Sequence, residues 1–153
     1  MCKIKVGLFF FGNIKYDARC SNMILSLSKK GYYVDAFHLA KTTQTSKNVK
    51  LIGLQNKHKK GFLKFYCWFG LIKKISLKPY SYIIASDLYS LAGLKTHKKH
   101  FVIYDVRDFF NELTALNNRP FKKIFWQFLE KRSLKFTNSI NLMPFPKNQF
   151  LKV

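Results

Sequence analysis

Four charged residues, Asp105, Arg107, Asp108 and Glu112, arrive within eight positions, directly after the apolar run Phe101-Val102-Ile103-Tyr104. An apolar, β-branched run that ends abruptly in charge reads as a buried strand whose carboxyl end opens on solvent. Ligands of open α/β sheets bind in the crevice outside those ends. Asp105, Arg107 and Asp108 are therefore the catalytic candidates, and Glu112 is a binding candidate. The competing reading is that Asp105 and Arg107 cap the strand and the next helix.

Two further stretches offer residues in the same topological position. Gly12 and Asn13 break the first strand, and Asp17 and Arg19 follow them. That loop lacks G-x-G-x-x-G, so a dinucleotide fingerprint is not supported. It can still bring backbone N–H groups, Asn13 and Arg19 to an anionic or hydroxyl-rich ligand; otherwise Asp17 is only a helix cap. Ser86-Asp87 follows another strand. Ser86 is the expected cap there, while Asp87 either caps as well or accepts hydrogen bonds from substrate hydroxyls. His97 and His100 flank Lys98-Lys99 with no carboxylate near, and His38 and His58 stand alone. Neither a metal site nor a Ser-His-Asp or Cys-His arrangement can be argued, and no cofactor is expected.

The elements that must position these residues alternate. Strands are expected at 3–11, 32–39, 49–54, 82–85, 101–104 and 139–142. After Asp17, Cys20, Met23, Ile24 and Leu27 recur at i, i+3, i+4 and i+7, one apolar helical face that Gly31 terminates. Residues 61–77 form an aromatic-rich helix with Lys64, Lys73, Lys74 and Lys78 about it. It packs on the sheet or lies on an anionic membrane, the two uses combining if Trp68 and Phe69 project from different faces. A short helix spans 86–95. Pro120 opens another, in which Phe121, Ile124, Phe125, Phe128 and Leu129 form the apolar face. Segment 40–48 is polar and reads as loop. Residues 1–142 thus make one α/β domain, a Rossmann-like three-layer α/β/α arrangement with a mostly parallel sheet. Pro144 and Pro146 make 143–153 an irregular tail.

The totals agree with a folded basic protein. Hydrophobic residues make up 48% of 153 residues, and 28 lysines and arginines against seven acids give a net charge of +21. That balance favours anionic partners, an anionic membrane surface before nucleic acid, since no nucleic-acid-binding motif is present. Cys2, Cys20 and Cys67 share no metal-like spacing and read as reduced thiols of a cytoplasmic protein. No run approaches the roughly 20 apolar residues that span a bilayer, and no signal-peptide pattern follows the first strand. The expected location is cytoplasmic, with peripheral association at the inner face of the membrane.

Tyr16-Asp17-Ala18-Arg19, the helix after it and Lys30-Gly31-Tyr32-Tyr33-Val34 resemble the opening of the family 4 glycosyltransferases of the GT-B fold. Ala85-Ser86-Asp87-Leu88, the segment Tyr104 to Glu112 and Leu129-Glu130-Lys131-Arg132 extend the resemblance over about residues 3–142. It implies half of a GT-B enzyme: a metal-independent, retaining transferase whose N-terminal domain binds a glycan or lipid-linked acceptor. Gly12, Asn13, Asp17, Arg19, Asp87 and Glu112 would line the acceptor cleft. The donor nucleotide-sugar would sit on a second domain, here on a second chain of a split enzyme or missing from a truncated one. The chain departs from the family after Ile140. Where some members carry His after the strand at 101–104, it has Arg107 and Asp108.

Overall fold

The computed structural model describes residues 4–58, 61–94, 100–107, 120–135 and 137–142. Its elements run β1 (Lys5–Phe10), a 3-10 turn (Ile14–Tyr16), α1 (Ala18–Lys29), β2 (Tyr33–His38), β3 (Gln44–Thr45), β4 (Val49–Gly53), α2 (Gly61–Lys73), β5 (Tyr82–Ala85), α3 (Leu88–Leu94), β6 (Phe101–Val106), α4 (Pro120–Leu134) and β7 (Ser139–Leu142). The strands form one sheet in the order β3-β4-β2-β1-β5-β6-β7. All neighbours are parallel except β3, which runs antiparallel to β4. This is the expected α/β architecture with a mostly parallel sheet, compatible with a Rossmann-like fold. The parallel strands follow the doubly wound order, with the direction of winding reversing between β1 and β5.

Alternation along β1 builds both cores. Val6 and Leu8 face α1 and pack with Cys20, Ile24, Val34 and Ala36. Phe9 faces the other way and packs with Phe37, Trp68, Ile72 and Leu91 under α2 and α3. A strand buried on both faces must be apolar at every position, which explains the continuous run in β1. Helix α1 begins on Asp17, whose Oδ1 accepts from the Cys20 amide at 2.7 Å. It ends at Gly31, where φ is +87°. There the Tyr32 amide donates to Leu27 O at 3.1 Å and the Gly31 amide to Ser28 O at 3.0 Å, a paired closure that suits a residue without Cβ.

Two details differ from the sequence-based expectation. Segment 40–48 contains a strand, β3, which pairs through Gln44 with Leu51 and Thr45 with Lys50; both β3 residues are exposed, so no apolar signal marked it. Strand β6 runs on through Asp105 and Val106, which pair with Asn141 and Leu142. Within α2 the two residues named as a condition for membrane contact differ in burial. Trp68 is fully buried, and Phe69 packs its ring 4.1 Å from that of Phe65.

Candidate functional site

The carboxyl ends of β1, β5 and β6 gather most of the candidate residues. Two D-x-R triplets lie far apart in sequence, Asp17-Ala18-Arg19 ahead of α1 and Asp105-Val106-Arg107 at the end of β6. They pair crosswise. Arg107 grips Asp17 through both terminal nitrogens, one of them 3.0 Å from Oδ1. Arg19 pairs with Asp105 and also donates to Val106 O at 3.3 Å. The lattice ties the start of α1 to β6 across the point where the sheet reverses its winding. The fit is tight: Asp105 is fully buried, and the side chains of Asp17, Arg19 and Arg107 are each about four-fifths buried.

Other groups complete the lattice. Arg107 also donates to Cys20 Sγ at 2.8 Å, and its guanidinium carbon stands 4.6 Å from the centre of the Phe10 ring. Burial raises the Asp17 carboxyl and the Arg107 hydrogen bonds and Cys20 amide lower it; the net position is below the ordinary value. Burial lowers Arg107, and Asp17 reverses this, leaving its pKa raised. Burial pushes the Cys20 thiol up to about 12, against the pull of Arg107. Cys20 is thus a protonated packing residue beside the ion pairs, and at neutral pH it is no nucleophile.

Asp87 fastens a different joint. Its Oδ2 accepts from the Phe11 amide at 2.6 Å and its Oδ1 from the Ser90 amide at 2.7 Å. Asp87, and not Ser86, is therefore the residue that caps α3; Ser86 is buried against β1, its amide donating to Phe9 O at 2.9 Å. Burial pushes the Asp87 carboxyl up to about 6, partly offset by the two amides. His38 acts similarly on the first loop. Buried at the end of β2, its Nδ1 accepts from the Ile14 amide at 3.4 Å, and burial holds its pKa below the ordinary value.

Of the expected binding residues, Gly12 and Asn13 reach an open cavity. It measures about 490 Å³ and lies beyond the carboxyl ends of β1, β2 and β4, with Lys41, Gln55, Asn56 and Lys64 also in its wall. Asn13 Oδ1 caps the 3-10 turn by accepting from the Lys15 amide at 3.0 Å. Asn56 is held at both ends, donating to Lys64 O at 2.7 Å and accepting from the His58 amide at 3.0 Å. Gln55 donates to Lys41 O at 3.3 Å, joining the β2 and β4 exits. No carboxylate contributes to the described wall. Leu39, Ala40, Leu54 and His58 complete the wall. The cavity thus combines an apolar floor with amides, largely held in internal hydrogen bonds, and the cations Lys41 and Lys64, which suit an anionic substituent.

The structure thus divides the candidates. Asp17, Arg19, Asp105 and Arg107 form a lattice, Asp87 clamps the β1 exit, and Gly12 and Asn13 line the cavity. Asp108 and Glu112 lie outside the described residues. Lys41, Gln55, Asn56 and Lys64 were missed, although each of the first three follows a strand, the position from which a sheet presents ligand groups. Among the described residues, no three His, Cys, Asp or Glu side chains are grouped to hold a metal ion. No family model and no curated protein matches this chain.

Proposed function

We propose that this chain is the acceptor-binding half of a family 4 glycosyltransferase and that the 490 Å³ cavity receives the acceptor. The observation that carries the reading is the position of that cavity. It lies outside the carboxyl ends of parallel strands, it is lined by Gly12 and Asn13 of the β1 exit, and its mixed wall, apolar residues beside Lys41 and Lys64, suits a sugar ring and the sugar-phosphate part of a lipid-linked acceptor. The two D-x-R triplets support it differently. They are among the residues on which the resemblance rests, and their crosswise pairing fixes the β1–α1 loop from which the cavity wall begins.

The donor nucleotide-sugar belongs to a second domain or chain in this reading. Residues 1–153 then bind the acceptor side without transferring sugar, because in this reading the groups that stabilise the developing charge on the leaving phosphate belong to the donor-binding partner. Calorimetric titration tests this. Monosaccharide 1-phosphates and short oligosaccharides bind residues 1–153, and Lys41→Ala with Lys64→Ala weakens the phosphorylated probes by about tenfold, the loss of roughly one charge-assisted contact. Uridine diphosphate glucose produces no transferred sugar with the chain alone. Sugar transfer without a second chain, or no binding of any sugar probe, overturns the reading.

A further inference from the structure

Helix α4 turns its apolar stripe outward. Phe121, Ile124, Phe125 and Phe128 recur at i, i+3, i+4 and i+7, the spacing expected of a core-facing surface, yet they are 86%, 61%, 43% and 59% exposed. The core takes the other side of the helix. Trp126 packs edge-on against Tyr89, ring centres 5.1 Å apart, and against Phe65 at 5.7 Å, and Ser133 is buried. Helix α2 does the same on its own scale: Phe65, Trp68 and Ile72 are buried while Phe62, Leu63 and Tyr66 are exposed. The two outward sets are neighbours, since Phe62, Phe121 and Phe125 line a single cavity of about 730 Å³, with Lys64 and Lys122 in the same wall. A monomeric soluble domain rarely leaves so contiguous an aromatic surface uncovered.

Among the described residues of these two helices, the charges are basic except for Glu130. Helix α2 contains Lys64 and Lys73 and no acid. Helix α4 carries Lys122, Lys123, Lys131 and Arg132 against a single acid, Glu130, which is half-buried and whose pKa burial raises. Aromatic and aliphatic side chains framed by lysines match the boundary of an anionic bilayer, where apolar groups enter the acyl region and cations meet phosphates. A second copy of this chain would set the same cations against themselves. Nucleic acid would use the cations and stack on the rings, but leaves Leu63 and Ile124, which have no planar face, without a role.

We propose that the outward face of α2 and α4 docks on an anionic lipid bilayer. It requires no sugar chemistry, and of the residues lining this cavity only Lys64 also borders the acceptor cavity. Flotation of the intact chain with vesicles tests it, using phosphatidylcholine alone and an equal mixture of phosphatidylcholine and phosphatidylglycerol. The chain floats with the anionic vesicles and not the neutral ones, and binding falls as salt rises. Phe121→Ser with Phe128→Ser lowers the partition coefficient by about tenfold or more while the far-ultraviolet circular dichroism stays unchanged. Lys122→Gln with Lys131→Gln reduces the preference for anionic vesicles. Three results overturn the proposal: equal binding to both vesicles, full binding by the Phe121→Ser/Phe128→Ser variant, or no vesicle binding by a chain that instead dimerises or binds single-stranded oligonucleotide through the same phenylalanines.

Discussion

Asp105 is the residue whose meaning changes most between sequence and structure. It stands at the end of an apolar strand and reads as a group facing solvent. In the fold it is fully buried and paired with Arg19. A buried carboxylate deprived of its cation costs several kcal/mol, whereas replacing both partners with apolar groups of similar size is often tolerated. Arg19→Met therefore destabilises the protein by about 3–5 kcal/mol, and Arg19→Met combined with Asp105→Leu recovers much of that loss. Chemical denaturation of the single and double variants measures the difference, and simple additivity contradicts the pairing. Asp87 makes a separate prediction. Its folded pKa, about 6, lies above the ordinary 3.8, so folding takes up a proton between those values. Its contribution is fully present below the unfolded value and is lost as pH rises through the folded one. Compared with Asp87→Asn, the natural chain thus gains melting temperature as pH falls from about 7 to about 4. Parallel melting curves for the two proteins across that interval would remove the assignment.

Among the elements, the helices carry tests of opposite sign. Gly70 is an exposed glycine within α2, and a Cβ added there meets nothing within 4 Å. Gly70→Ala raises stability by about 0.8–1 kcal/mol, the helix-propensity difference. Gly93 in α3 is buried, and its Cβ would come within 2.9 Å of Ile72 Cδ1 and 3.0 Å of Phe69 Cδ1. Gly93→Ala forces α2 and α3 apart and destabilises by roughly 1–3 kcal/mol, the usual effect of overpacking. Thermal denaturation separates the two, and the same sign for both contradicts the α2–α3 packing. Helix boundaries were legible because Asp17 and Gly31 are local signals acting on their own neighbours. Orientation was not. The stripe on α4 shows that the helix is amphipathic without showing that Trp126, on the other side, is the residue the core takes. A strand as short and polar as β3 leaves no pattern at all.

At the scale of the whole molecule, the alternation of strands and helices, and with it a mostly parallel sheet, was readable from apolar runs and helical stretches. Long-range pairings were not. The hydrogen bonds that cross-link the triplets join residues 86 to 90 positions apart, and nothing in either triplet names its partner. The same limit divides the candidate site. The ends of β1, β5 and β6 drew attention to themselves and those of β2 and β4 did not, and only the folded sheet separates the internally paired group around Asp105 from the open wall of Gly12, Asn13, Lys41 and Gln55. In the fold the acids Asp17, Asp87 and Asp105 serve internal pairings; in the proposed reading, recognition falls to the cavity wall. That division is most directly tested by amide chemical-shift mapping of residues 1–153 with a monosaccharide 1-phosphate. Saturable shifts at Gly12, Asn13, Lys41 and Gln55, with Asp105 and Val106 unmoved, are the predicted result. Shifts centred on Asp105 and Arg107, or no saturable shift in the cavity wall, would contradict it.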